Sequence, residues 1–187
     1  KFQSPVTLDF TDKTEAPRHR MQVVNVASPM RDKLQSALDL LRSLPNGKVI
    51  LFVNHRESAT RVYDFLRQNR LPVGLYHGGL EQIDREKAID LLNNGTTPIL
   101  VSTDLASRGL DIDHVQAVVH YHMPPQPESW THRNGRTARM GAEGTIYVIT
   151  AEGENIPEYI DFDRDYVPTG EKNDNPIKSD VATLHFN

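Results

Sequence analysis

The chain has 187 residues, 37% of them hydrophobic and 25% charged, with no cysteine and a formal net charge of −4. That is enough for one well-buried domain and too little for two of ordinary size. The absence of cysteine excludes disulfides and thiolate metal sites and suits a cytoplasmic setting. The longest apolar run, near VILFV at 49–53, is far short of the ~18 residues of a membrane span, so no membrane partner is expected. The acidity is also unevenly placed. Residues 1–150 carry 18 basic and 16 acidic side chains, whereas the last 37 carry 3 and 9, so the body is mildly basic and the excess of carboxylates lies in the tail. There is no signal-peptide pattern, and with Lys1 as its first residue the chain is expected to be a piece of a longer protein.

Residues 1–20 are polar and irregular and read as a linker. MQVVNVA (21–27) reads as a strand, after which Ser28 is expected to cap a helix with Pro29 at its first position. Leu34, Ala37, Leu38, Leu41 and Leu44 continue that helix at helical spacing, and PNG (45–47) ends it. KVILFV (48–53) is almost continuously apolar, as a strand covered on both faces must be. A helix through Ala59, Val62, Tyr63 and Leu66, a strand VGLY (73–76) and a helix over about 80–93 follow. Then come strands PILVS (98–102) and VQAVVHYH (115–122), a helix near 127–138 and a strand GTIYVIT (144–150). Strands alternating with helices imply a parallel α/β sheet with right-handed crossovers, whose ligands bind at the carboxyl ends of the strands. Beyond residue 150 the periodicity stops, and the acidic, Pro- and Asn-punctuated stretch reads as linker. The domain is therefore expected to cover 21–152, with 153–187 as an acidic tail.

Chemistry is to be sought in the loops after residues 53, 76, 102 and 122. TDLASRGLDI (103–112) offers hydroxyls, Gly109 and Asp111, suited to phosphate and ribose contacts, though an ordinary polar loop reads equally well. HGGLEQIDRE (77–86) has paired glycines before a helix start, with Gln82 and Arg85 three apart. Helix starts of this kind can bind phosphate, but glycines before a helix more often mark a simple turn. LFVNHRES (51–58) presents Asn54, His55 and Arg56 at the end of a strand. HRNGRTARM (132–140) carries three arginines at three-residue intervals beside His132, with Gly135 among them. A solvated helix prefers alanine to glycine by about 1 kcal/mol, so this glycine suggests the close approach of something anionic.

Together these four segments resemble, in order and spacing, the second RecA-like half of a superfamily 2 helicase, and specifically of a DEAD-box RNA helicase. LFVNHR is similar to motif IV, QIDR to the Q-x-x-R motif, STDLASRGLDI to motif V and HRNGRTAR to motif VI. The resemblance runs from about residue 21 to 150 and implies a three-layer RecA-like fold, its mostly parallel central sheet flanked by helices on both faces. It also implies roles. Arg136 and Arg139 resemble arginine fingers aimed at the γ-phosphate of ATP held by another domain, with Arg133 and His132 coupling to that domain's acidic motif. Asp111, beside Gly109, is similar to the residue that holds the nucleotide ribose. Gly78, Gln82, Arg85 and Thr103, with Asn54 and His55, resemble the RNA-backbone side. Three positions depart from the family pattern. His55 stands where a small hydroxyl is usual, Asn134 replaces a small or aliphatic residue and should point away from phosphate, and Ala138 replaces a common glycine.

No G-x-x-x-x-G-K-[ST] loop and no D-E-A-D stretch occurs in the chain. The half that would hold the phosphates and magnesium is expected to be an N-terminal RecA-like domain of the same parent protein, and this piece, expected to be monomeric, should not hydrolyse ATP alone. Two rival readings are a RecA-like RNA- or protein-binding module without ATPase, and half of a DNA-directed helicase of the same superfamily. DFDRDY (161–166) lacks the glycine and glutamate of a calcium loop, and His120 with His122 on one strand reads as structural. VATLHFN (181–187) alternates like a strand and resembles the opening of an appended RNA-binding domain.

Overall fold

The computed structural model describes residues 21–29, 31–104, 112, 114–138 and 144–171. Its elements run β1 (Gln22–Ser28), α1 (Leu34–Ser43), β2 (Lys48–Phe52), α2 (Arg56–Gln68), β3 (Val73–Tyr76), α3 (Gln82–Asn93), β4 (Ile99–Ser102), β5 (Val115–His120), α4 (Pro127–Ala138), β6 (Thr145–Ala151) and β7 (Arg164–Tyr166). The strands form one sheet in the order β3-β4-β2-β5-β6-β1-β7, and every pairing is parallel. This is the parallel α/β sheet that the alternation of strands and helices predicts, in the three-layer form that the motif resemblance implies.

The unbroken apolar run of β2 follows from its place in the middle. Val49, Leu51 and Val53 enter a core shared with Leu38 and Leu41 of α1 and Val62 and Leu66 of α2. Ile50 and Phe52 point the other way, into a second core with Ala88 and Leu92 of α3 and Val118 of β5. Alternate residues of one strand thus serve two layers.

Two expectations need correction. The first helix does not begin at Pro29. β1 stays paired with β6 as far as Ser28, opposite Ala151, and α1 starts at Leu34, whose N–H donates to Asp32 Oδ1 at 3.1 Å. Between them Lys33 is pulled inward, its Nζ donating to the Tyr121 carbonyl at 3.0 Å and pairing with Glu154 at 2.9 Å. The loop is thereby held in an irregular path.

The second correction concerns the tail, which is part of the domain at least as far as the described residues run. β7 pairs with β1, Asp163 exchanges two hydrogen bonds with the backbone of Val23, each 2.8 Å, and Asn25 donates to Asp165 at 2.9 Å. Ile160 and Tyr166 are buried. The aspartates of DFDRDY therefore fasten an edge strand. Residues 172–187, including VATLHFN, and the linker 1–20 lie outside the described residues.

Candidate phosphate and nucleic-acid interface

The sheet order brings the four chemically rich loops side by side. Tyr76 pairs with Ser102, Ser102 with Phe52 and Phe52 with His120, so β3, β4, β2 and β5 all end on one level. The ladder runs one residue further: Thr103 N–H donates to the Tyr76 carbonyl, Val53 N–H to Ser102 and Tyr121 N–H to Phe52. The loops leave the sheet as a contiguous row.

At the β3 end of this row, Gly78 is exposed and Gln82 opens α3. Arg85 donates to Gln82 Oε1 at 2.8 Å, and Gln82 donates on to Glu86 at 3.0 Å, so the two expected RNA-side residues of α3 are brought together. Thr103, half-buried, follows the carboxyl end of β4, its N–H donating to the Tyr76 carbonyl. Arg56, at the start of α2, leans over from the neighbouring loop. A Cβ on Gly79 would lie 3.0 Å from its Nη1 and 3.1 Å from the His77 ring. His77 accepts from the Gly79 N–H at 3.0 Å, and burial, helped by the Arg56 guanidinium, lowers its pKa. His55 is exposed, its ring 6.3 Å from that of His122.

Arg133 occupies the middle of the row and is fully buried. Its Nε and Nη2 pair with the two oxygens of Asp104, the latter contact at 3.0 Å. Nη2 also donates to Asn54 Oδ1 at 2.7 Å, and Nη1 donates to the His122 carbonyl at 3.1 Å and lies 3.3 Å from His120 Nδ1. The Phe52 ring lies 5.4 Å below the guanidinium. A buried cation must be paired and hydrogen-bonded to be tolerated, and a guanidinium fork suits a bidentate carboxylate. This corrects the expectation that Arg133 reaches an acidic motif of another domain: it ties the loops after β2, β4 and β5 to α4. Asn54 is drawn into the same network, donating to the Met123 carbonyl at 3.0 Å while its oxygen accepts from Arg133. Its side-chain amide is therefore engaged at both ends within the domain.

Two histidines complete the cluster. His120 is fully buried, with Nε2 2.7 Å from Asn134 Oδ1. Burial, reinforced by Arg133, lowers its pKa to about 3. His122 Nδ1 accepts from the Asn54 N–H at 3.0 Å; burial, with Lys33, His55 and Arg133 nearby, lowers its pKa to about 4. Both are neutral structural acceptors or donors, and among the described residues no group of three or more His, Asp or Glu could hold a metal.

On α4, Arg133 and Asn134 face the sheet, His132 is exposed, and Gly135 and Arg136 are half-exposed. A Cβ on Gly135 would meet nothing within 4 Å, so packing among the described residues does not demand the glycine. Arg139, Asp111 and Gly109 lie outside the described residues. The sequence reading missed Asp104 and His120 as partners of Arg133 and Asn134. An arginine and an asparagine side by side, three and four residues after Trp130 on a helix with few apolar positions, were the available signal.

The helicase conserved C-terminal domain family matches residues 32–141. The chain is 35% identical over 160 residues to the ATP-dependent RNA helicase DBP3 of Candida albicans, covering 82% of this chain and 28% of that protein. The chain thus spans less than a third of the length of such relatives. Among solved structures, the E. coli DEAD-box protein SrmB superposes with a TM-score of 0.70 at 28% identity, covering 79% of this chain and 91% of that one. The C-terminal domain of the DEAD-box protein Dbp5 superposes with a TM-score of 0.62 at 27% identity, covering 71% and 77%.

Proposed function

Since the chain belongs to the helicase conserved C-terminal domain family, as found in DEAD-box RNA helicases, we propose that it supplies the arginine fingers and part of the RNA-backbone site of an ATP-dependent RNA helicase. One observation carries the reading. α4 turns Arg133 and Asn134 inward, while His132 is exposed and Gly135 and Arg136 are half-exposed. Among the described residues no atom lies within 4 Å of a Cβ built on Gly135, which suits the approach of a phosphate chain to the backbone there, with a guanidinium one residue on. This is a fit to ATP bound by a second domain, an N-terminal RecA-like half that would hold the phosphates and magnesium. Arg136, with Arg139, would stabilise charge on the transferring phosphoryl group, and Asp111 would accept from the ribose hydroxyls.

RNA would lie across the neighbouring strand ends. Gly78 offers backbone, and Gln82, Arg85 and Thr103 offer donors for phosphate, with Arg56 and His55 at the margin. Contacts of this kind position a strand without reading its bases. A binding module without ATPase is a weaker reading, because such a module has no need of the three arginines of residues 132–140. The fold itself uses Arg133, so the weight falls on Arg136 and Arg139.

In the full-length protein, Arg136→Ala is expected to lower kcat for ATP by about 10³ while leaving the melting temperature of this domain near that of the wild type. A normal kcat with a lowered melting temperature would mean that Arg136 holds the fold, and the finger assignment would fall. The 187-residue chain alone is expected to release no phosphate from ATP.

A further inference from the structure

Among the described residues, α4 is unlike the other helices in the way it is attached. α1, α2 and α3 each place apolar side chains in one of the two cores, and α4 places none. Its inward stripe is Trp130, Arg133 and Asn134, spaced i, i+3, i+4. Each of these meets β5 or the loop that follows it. The Trp130 ring lies 4.7 Å from the His120 ring, Arg133 bonds His120 and the His122 carbonyl, and Asn134 bonds His120 Nε2. His120 is thus the point on the sheet that all three side chains address, with the Phe52 ring 6.4 Å away.

The hydrogen-bond directions follow from the inventory of donors. A guanidinium only donates, so His120 Nδ1 accepts from Arg133 and the ring proton sits on Nε2. That N–H donates to Asn134 Oδ1. Apolar packing is non-directional and tolerates a helix rolling on its seat, whereas a short hydrogen bond to a fixed ring does not. The consequence for a residue two positions on is geometric. On a helix whose side chains reach about 5–6 Å from the axis, a roll of about 10° moves a side chain by about 1 Å. A 1 Å misplacement can cost about 10²-fold in rate.

We propose that His120 and Asn134 are positioning residues that fix the rotation of α4 about its axis, and so the aim of Arg136. The proposal rests on the reading of Arg136 as a finger, and the experiment separates the two. The variants are Asn134→Leu, His120→Phe, the two combined, and His120→Gln. The measurements are kcat and KM for ATP in the full-length protein, melting temperature, and the anisotropy of Trp130, the single tryptophan of the 187-residue chain.

Each apolar single variant orphans a buried polar partner and is expected to lose both melting temperature and at least tenfold in kcat, with KM for ATP within twofold. The double variant removes both partners, so its melting temperature should return toward the wild type. Its kcat should stay at least tenfold low and its Trp130 anisotropy reduced, because packing cannot replace the directional bond. His120→Gln keeps a donor for Asn134 and an acceptor for Arg133, and should retain kcat within about threefold. Recovery of kcat together with melting temperature in the double variant would overturn the proposal and make the pair merely structural. So would single variants that melt early yet turn over normally. Failure of the pair would leave Arg136→Ala slow and Asn134→Leu fast. Failure of the finger reading would show as a normal rate in Arg136→Ala, and would overturn the aim assigned here along with it.

Discussion

Acid should loosen this domain from its strand ends, and the amount can be worked from His120. In the folded chain its pKa is about 3, because the ring is buried beside the Arg133 guanidinium. In the unfolded chain it returns to about 6.5. Between those values the unfolded state binds a proton that the folded state refuses. Stability therefore rises with pH through the window, is full above about 6.5, and is progressively lost below it. The slope is about 1.4 kcal/mol per pH unit, and the accumulated loss at pH 5 is about 2 kcal/mol. His122, lowered to about 4 by burial and its cationic neighbours, acts with the same sign between about 4 and 6.5. A loss of this size is a large part of the 5–15 kcal/mol that holds a typical domain together.

The assay is urea denaturation of the 187-residue chain at half-unit intervals from pH 8 to pH 4.5, for the wild type and for His120→Gln. Glutamine does not titrate, so its curve should be flatter below pH 6.5 by the contribution of one proton. The wild type should lose ground to the variant as the pH falls. Parallel curves for the two proteins would refute the reasoning, because they would mean that His120 takes up its proton without disturbing the fold. A variant less stable by a constant amount at every pH would likewise assign His120 a packing role and no part in acid lability.

Arg133→Ala should destabilise the domain by about 1.5–3 kcal/mol, since it removes the charge-assisted hydrogen bonds that part-buried Asp104 and Asn54 make to it; a wild-type melting temperature would dismiss the clamp. Gly135→Ala should stabilise this domain by about 1 kcal/mol, as its Cβ meets open space on a helix. The same change should lower ATP turnover in the full-length protein, and undiminished turnover would remove the argument for close approach of the phosphates. Arg85→Ala in the full-length protein should weaken single-stranded RNA of any sequence alike and reduce the slope of log affinity against log salt by about 0.7. A shift of sequence preference at constant affinity would instead place Arg85 against bases.

The layers of the fold were legible because its core obeys simple periodicities. Val49 to Val53 could only be a central strand, and Ala59, Val62 and Leu66 could only be one face of a helix. Elements that owe their existence to single hydrogen bonds were not legible. β7 is three residues long and is held by Asp163 and Asp165 against β1; aspartates ordinarily argue against a strand. The start of α1 was misread because Ser28 and Pro29 make a good local cap, while the pairing of Ser28 with Ala151 keeps the chain extended. At the site, motif spacing pointed to the right loops and could not say which arginine faces inward. The orientation of Arg133 depends on Asp104, 29 residues away, and no local pattern carries that distance.

The same division explains where the domain is vulnerable. The two apolar cores fill the layers up to the level of Phe52 and Tyr76. At that level and past it, Asn54, Asp104, His120, His122 and Arg133 replace apolar contacts with charge and hydrogen bonds. Apolar side chains there would seat α4 more cheaply, because buried ion pairs are often no better than well-packed hydrocarbon. They would leave its rotation undetermined. A polar seat instead fixes direction and costs acid resistance, so the groups that aim the open face of α4 are also those that refuse a proton. The acid lability expected from His120 and the geometry expected of Arg136 are two consequences of one arrangement. A variant that flattens the pH dependence by making this cluster apolar should therefore also loosen the aim of the helix.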